Sequence, residues 1–236
     1  MQLDTSNAAF LFALDLIEQT QESVFLTGRA GTGKSTFLKY ICKHTKTKFI
    51  VLASTGIATL NVVGMTIHSF FGLPLRPLLP NDRHIPYFNS EETKHKRKII
   101  EEVELVIIDE ISMVRADLLD GIDQALRKNA KPKDRRRPFA GKQVLLIGDV
   151  FQLPPVVTKE QQHIIEHLYD SPYFFKANVF KQLKAIPVGL KKVYRQKDAY
   201  FLNLLDKIRV KRINSAELEE LNKRYAPNFN PPINSY

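Results

Sequence analysis

Apolar residues gather in four short runs along the chain: SVFLT at 23–27, FIVLAS at 49–54, ELVIID at 104–109 and QVLLIG at 143–148. Each run is aliphatic almost throughout instead of alternating with polar residues, the pattern of strands covered on both faces in a parallel sheet. Between the runs the apolar period lengthens. Phe10, Ala13, Leu14 and Ile17 recur at helical spacing behind Ser6 and Asn7, both of N-cap type, and predict a first helix over about 7–20. FLKYICK, with the lone Cys42 packed inside it, has the same spacing. LLDGIDQALRK sets Leu118, Ile122 and Ala125 on one face of a crossover helix despite Gly121. Strands and helices in alternation imply an α/β fold, a parallel sheet flanked by helices.

Two stretches break this rhythm. Residues 72–98 hold four of the thirteen prolines and end in a basic cluster, which predicts a mostly irregular insertion on the sheet scaffold. KPKDRRRP at 131–138 is the other, and either basic run reads equally as a solvated loop. After residue 190 a new unit begins, with FLNLLDKIRV and AELEELNKRY as helices and APNFNPPINSY at the end. Residues 1–190 are therefore assigned to one domain, and 191–236 to the opening of a second that stops before completion.

Composition narrows the class. The 236 residues are 44% apolar, enough for a substantial core, and Lys and Arg outnumber Asp and Glu by 35 to 25, a net charge of +10 that favours a polyanionic partner. The opening residues lack a basic leader and Asp15 interrupts their apolar run, so neither a signal peptide nor a membrane span is expected. With the single Cys42 there is no internal disulfide and no Cys-rich metal site, which suits a reducing compartment.

Candidate chemistry begins at GRAGTGKST, 28–36, where Gly28, Gly33, Lys34 and Ser35 satisfy G-x-x-x-x-G-K-[ST] between a strand and a helix. Glycines let backbone N–H groups converge on phosphate oxygens, the helix start points its positive end at them, and the lysine reaches the β- and γ-phosphates. The nucleotide-binding set is Gly28, Ala30, Gly31, Thr32, Gly33, Lys34, Ser35 and Thr36, ATP being the ligand that the family resemblance described below implies. At the end of another strand stand Asp109 and Glu110. Ser35 and Asp109 are assigned to Mg²⁺, leaving Glu110 to orient and deprotonate water, so the pair argues for hydrolysis and against transfer to a second substrate.

GRAGTGKST, ASTGIATLNVVGMTIHSFFG, VIIDEISMV, PFAGKQVLLIGDVFQLPPV and LKKVYRQ, in that order, resemble the first motor domain of the Pif-one (petite integration frequency) helicases, a RecD-like branch of superfamily one. The likeness spans roughly 5–200. Residues 118–143 occupy the place of that family's signature segment and end it with Pro-Phe-x-Gly, but their basic middle diverges.

The resemblance implies a RecA-like P-loop domain that, with a second such domain, couples ATP hydrolysis to 5′-to-3′ movement along single-stranded DNA. It implies Gln152 as γ-phosphate sensor and Arg195 as a contact from the second domain's edge; read singly, these are a loop polar residue and a surface arginine. Asn7 stands nearest the family's adenine-reading glutamine, and capping the first helix explains it equally well. Thr55, Gly56, Thr66, His68 and Ser69 are implied for strand phosphates, and Phe70 and Phe71 for base stacking, against a core reading for the aromatics and the histidine. Pro154 and Pro155 would reach the DNA groove, and the insertion within about 55–98 would form a wedge at the duplex fork. The expected partners are single-stranded DNA and a duplex fork, with no membrane and a monomeric motor. A start without a leader suits a bacterial cytoplasm, the nucleus or mitochondrion being the alternatives. Two rival classes remain: a non-motor P-loop ATPase or small-molecule kinase, which would carry an arginine-bearing lid in place of GDVFQLPP, and a single-strand-binding module with a vestigial ATP site, against which Lys34, Asp109, Glu110 and Gln152 all argue.

Overall fold

Among the described residues six strands form one wholly parallel sheet: β1 (Val24–Gly28), β2 (Phe49–Ala53), β3 (Met65–Thr66), β4 (Leu105–Asp109), β5 (Gln143–Gly148) and β6 (Ile186–Leu190), in the order β3-β2-β4-β5-β1-β6. The computed structural model describes residues 4, 6–56, 64–194, 196, 198–223 and 225–227. These divide into two compact units, one reaching residue 194 and one following it. Four strands coincide with the aliphatic runs. The other two escape that pattern: β3 has only two residues, and β6, IPVGL, holds Pro187 and Gly189, tolerated because the strand lies at a sheet edge.

Side chains of a strand point alternately to its two faces. Leu105 and Ile107 of β4 therefore join Leu145 and Ile147 beneath α1 (Ala8–Gln19) and α2 (Lys34–His44), where Phe10, Ala13, Ile17, Phe37 and Ile41 complete one core. Val106, Ile108 and Leu146 face the other way. They meet Phe71 of α3 (Ile67–Phe71), Ile100 of α4 (Lys94–Glu102) and Leu119, Ile122 and Leu126 of α5 (Ala116–Asn129). Each such buried Leu, Ile, Val or Phe side chain contributes about 1.5–3 kcal/mol. A surface helix, α6 (Lys159–Leu168), precedes the short α7 (Asn178–Leu183).

The buried flank of α5 is unusually polar, and each polar group docks a different segment. Asp117 accepts from Leu78 N at 2.8 Å and from Arg115 Nε at 2.8 Å; Asp123 accepts from Phe139 N at 2.6 Å; Asn129 accepts from Phe88 N at 2.7 Å and donates to Pro86 O at 3.0 Å. Asp120 takes four bonds: Tyr169 Oη (2.9 Å), Asn178 N and Nδ2 (3.1 Å each) and Val179 N (2.8 Å). It thus caps the first turn of α7 from a neighbouring helix. Gly121 has a packing reason, since a Cβ there would lie 2.3 Å from Leu78 Cδ1 of the insertion.

The insertion is irregular from Leu73 to Thr93, held around Asp82, which accepts from Arg76 Nη1 at 2.7 Å and His84 N at 2.9 Å. The basic residues that close it are not irregular. Lys94–Lys98 begin α4, because Ile99 and Ile100 follow in a run of strong helix formers and Ile100 packs into the core. The second unit contains α8 (Ala199–Arg209), capped by Asp198, and α9 (Ser215–Asn222), whose Asn214 and Glu217 form a capping box. Among the described residues no helix is long and apolar enough to cross a membrane.

Asp120→Ala leaves several buried donors unpaired. It is expected to lower unfolding free energy by about 2–4 kcal/mol, read from a urea midpoint that shifts with an unchanged m-value.

Candidate nucleotide and nucleic-acid site

The loop from Gly28 to Gly33 is shaped by backbone packed against backbone. A Cβ on Gly28 would stand 2.6 Å from Thr32 Oγ1 and 2.8 Å from Leu190 O, so only glycine lets β1, the loop and β6 close together. Gly31 and Gly33 have φ of +76° and +92°, the left-handed region open to glycine. Thr32 is buried, its hydroxyl donating to Arg29 O at 2.8 Å; Ala30 and Ser35 are exposed and Thr36 half-buried. Lys34 Nζ lies in the mouth of the loop, donating to Gly28 O at 2.6 Å and Arg29 O at 3.3 Å. Phosphate oxygens are natural substitutes for those carbonyls.

Residues that the sequence reading did not assign to the site brace this loop. Phe10 stacks between Phe37 (centroids 5.8 Å) and Tyr194 (6.2 Å), its Cζ 2.7 Å from where a Gly33 Cβ would sit. Tyr194 N donates to Gly31 O at 2.8 Å, and its hydroxyl donates to Asp4 Oδ2 at 2.7 Å. Lys192 also reaches Asp4 at 2.7 Å, holding that carboxyl well below its usual range, with Ser6 and Tyr194 adding to the effect. Asn7 is occupied at both ends: Oδ1 accepts from Ala9 N at 3.1 Å as the helix cap, and Nδ2 donates to Tyr194 Oη at 3.0 Å. The capping interpretation of Asn7 is the one this geometry displays.

Asp109 ends β4, and Glu110 follows in a left-handed conformation, φ 49° and ψ 46°. Burial pushes the Asp109 carboxyl up to about 6, reinforced by the Glu110 charge and opposed by the Glu110 N–H and the Lys34 ammonium. The Glu110 N–H donates to Asp109 Oδ1 at 2.9 Å. The donors fit magnesium. A serine hydroxyl and a carboxylate are hard oxygens, and Mg²⁺ is commonly held by one or two protein groups with phosphate and water completing its shell. The hydroxyls of Ser54 and Ser112, which follow the ends of β2 and β4, are buried with no hydrogen-bond partner among the described residues.

Beyond β5, Asp149 is fully buried and turns the chain, its Oδ1 accepting from Phe151 N (3.1 Å) and its carbonyl from Gln152 N (2.9 Å). Gln152 and Pro154 are exposed, as are Phe151, Leu153 and Val156. Pro155 is buried, so its assignment to a DNA groove is corrected: it has little exposed surface to offer a strand. Arg195 lies outside the described residues.

At the other end of the same edge, Thr55 is half-buried and Gly56 exposed; 57–63 lie outside the description. Thr66 Oγ1 caps α3, accepting from Ser69 N at 3.2 Å, and Ser69 is exposed. His68 is half-buried, and burial, followed by the Arg115 charge, pulls its pKa down, with Asp117 opposing. The stacking role read for Phe70 and Phe71 is corrected: they are 3% and 0% exposed and meet edge-to-face at 4.8 Å inside the core. Burial of their ring faces leaves none for a base.

Parallel pairing ties these parts together. Ala53 of β2 registers with Thr66 on one side and Asp109 on the other, while Thr27 of β1 registers with Gly148 of β5. Thr55, Thr66–Ser69, Asp109–Glu110, Gln152 and the loop with Lys34 therefore all follow the C-terminal ends of strands in one sheet, the edge where open α/β sheets bind ligands.

The description "PIF1-like helicase" fits residues 6–219 of the chain. The chain is similar to the ATP-dependent DNA helicase PIF1 of Saccharomyces cerevisiae (strain YJM789), 32% identical over 217 residues, 89% of this chain and 24% of that protein. It is similar to the Homo sapiens ATP-dependent DNA helicase PIF1, 32% identical over 225 residues, 93% of this chain and 32% of that one. Among solved structures, the Pif1 helicase from Bacteroides in complex with ADP-AlF3 and ssDNA superposes with a TM-score of 0.87 at 40% identity, covering 97% of this chain and 52% of that one. The shared arrangement is a RecA-like P-loop fold. The chain spans a quarter to a third of these two curated relatives and about half of the solved chain.

Gly33→Ala forces a side chain onto Phe10 at a positive φ. Expected are a loss of about 1–2 kcal/mol in stability by thermal melting and weakened binding of a fluorescent adenine nucleotide.

Proposed function

The chain belongs to the PIF1-like helicase family, and from that premise we propose that it is the nucleotide-binding half of a motor that hydrolyses ATP while moving 5′-to-3′ on single-stranded DNA and opening a duplex fork. Residues 1–190 are the first RecA-like domain in this reading, and 191–236 open the second. By itself the chain holds ATP with little turnover and no unwinding, because closure over the γ-phosphate needs both domains.

Triphosphate oxygens take the N–H groups of the loop, and Lys34 turns from the carbonyls of Gly28 and Arg29 to the β- and γ-phosphates. Ser35 and Asp109 hold Mg²⁺, which supplies positive charge against those oxygens. Glu110 accepts a proton from water as the water oxygen bonds to the γ-phosphorus and the bond to the β–γ bridging oxygen breaks, giving ADP and phosphate. Gln152 orients the attacking water, and Arg195 adds charge to the transferring phosphoryl group. Thr55, Gly56, Thr66, His68 and Ser69 contact strand phosphates without reading sequence, and Pro154 borders their path.

One observation carries this reading. Ala53 is registered between Thr66 and Asp109, so the nucleotide carboxylate and the strand-contacting turn are separated by a single strand of a buried sheet. Glu110→Gln in the complete two-domain motor is the test: ATP affinity is expected to stay within about threefold while turnover falls by about 10²-fold or more. Unchanged turnover in that variant would remove Glu110 as the base and the hydrolytic assignment with it.

A further inference from the structure

The divergent basic run at 131–137 takes no part in the site above, and the structure shows where it goes. Helix α4 begins near the strand-contacting turn, where Lys96 Nζ donates to Ser69 O at 2.9 Å. It descends to the opposite edge of the sheet: Glu102 pairs with Lys48 at 3.2 Å, and Glu104 N donates to Lys48 O at 2.8 Å, beside the starts of β2 and β4. The basic run lies at that same N-terminal edge, following α5 and preceding Lys142, whose Nζ donates to Val103 O at 2.7 Å. Between helix and run is an open groove of about 680 Å³ lined by Lys94, His95, Arg97, Lys98 and Lys131 together with Glu101 and Glu102.

The two carboxylates in the groove are already matched, Glu101 by Arg97 at 3.0 Å and Glu102 by Lys48. Lys94, Lys98 and Lys131 are exposed, Lys94 pairing with the exposed Glu91 three residues before it, and Lys133, Arg135, Arg136 and Arg137, the last of these 3.9 Å from Asp134, continue the positive surface. Lys94 and Lys98 stand one helical turn apart, about 6 Å, setting two cations in a row along the wall. The lining contains no Phe, Tyr or Trp and a single imidazole, His95, and one face of nearby Tyr87 is covered by the Arg97 guanidinium 5.2 Å from its centroid. Single-strand binders stack bases on aromatic platforms, whereas a duplex turns its bases inward and offers a phosphate backbone to cations.

We propose that this groove is a second nucleic-acid contact, which takes the phosphate backbone of duplex DNA at the sheet edge opposite the phosphate loop. The proposal rests on the helicase reading for its choice of DNA. A helix that touches the strand-contacting turn at one end and the duplex groove at the other gives the motor a fixed offset between the two forms of DNA.

The experiment is fluorescence anisotropy of the 236-residue chain with a blunt-ended duplex and with a poly-dT strand, across a salt series. In Lys94→Gln/Lys98→Gln/Lys131→Gln, duplex affinity is expected to fall about tenfold and the log–log salt slope to lose about 2–3 in magnitude, while poly-dT affinity stays within about twofold. Lys39→Gln/Lys43→Gln/Lys46→Gln removes the same charge from the α2 side and is expected to leave duplex affinity unchanged. Lys98→Glu alone, at an exposed helical position, gives the same direction as the groove triple. Failure of the unchanged chain to bind duplex, equal losses in both triples, or a matching loss for poly-dT would each overturn the proposal. Absence of poly-dT binding by the unchanged chain would instead strike the helicase reading.

Discussion

Ala53, buried near the end of β2, pairs in register with Thr66 on one side and Asp109 on the other. Its neighbours are the turn that caps α3 and the carboxylate that faces the phosphate loop. Because parallel pairing fixes register wherever both faces of a sheet are buried, neither neighbour can shift along its strand without moving every apolar side chain that follows. A rigid path one strand wide therefore joins two surfaces that the proposed function needs to act in concert.

The same sheet determines what the rest of the chain must do. All six strands point one way, so their C-terminal ends supply one edge for chemistry and their N-terminal ends a second edge for other contacts. The phosphate loop depends on the absence of side chains, at Gly28 against Leu190 and at Gly33 against Phe10. Tyr194 closes that loop from the segment leading out of β6, bonding Gly31 O while its ring lies on Phe10. On the opposite face, α5 fixes loops in place through Asp117, Asp120, Asp123 and Asn129, each accepting backbone N–H groups from another segment.

Much of this is legible in the sequence itself. Continuous aliphatic runs gave four strands, and G-x-x-x-x-G-K-[ST] after one of them located the loop with its lysine. Elements without a periodic signal were harder: β3 is too short to have a period, and Pro187 and Gly189 disguise β6. The charges of 94–98 masked a helix that a single buried residue, Ile100, anchors. Phe70 and Phe71 lie in a motif rich in hydroxyls and glycine, yet helix α3 turns both rings inward. The docking roles of α5's acids and the brace from Tyr194 are beyond reach, since the backbone groups they bond lie outside their own helices, most of them tens of residues away, and no local pattern encodes them. Asn7 was ambiguous in sequence because one amide suits both a helix cap and a base contact, and its bonds to Ala9 and Tyr194 show which groups it now serves.

If a strand laid on the Thr66–Ser69 turn and a nucleotide laid on the phosphate loop share the path through Ala53, occupancy of one must alter the chemistry at the other. The most direct measurement is steady-state ATP turnover by the complete motor, with and without saturating single-stranded DNA. A rise of at least about tenfold, about 1.4 kcal/mol off the barrier, is the predicted result. Turnover indifferent to the strand would contradict the coupling, however tightly each ligand bound.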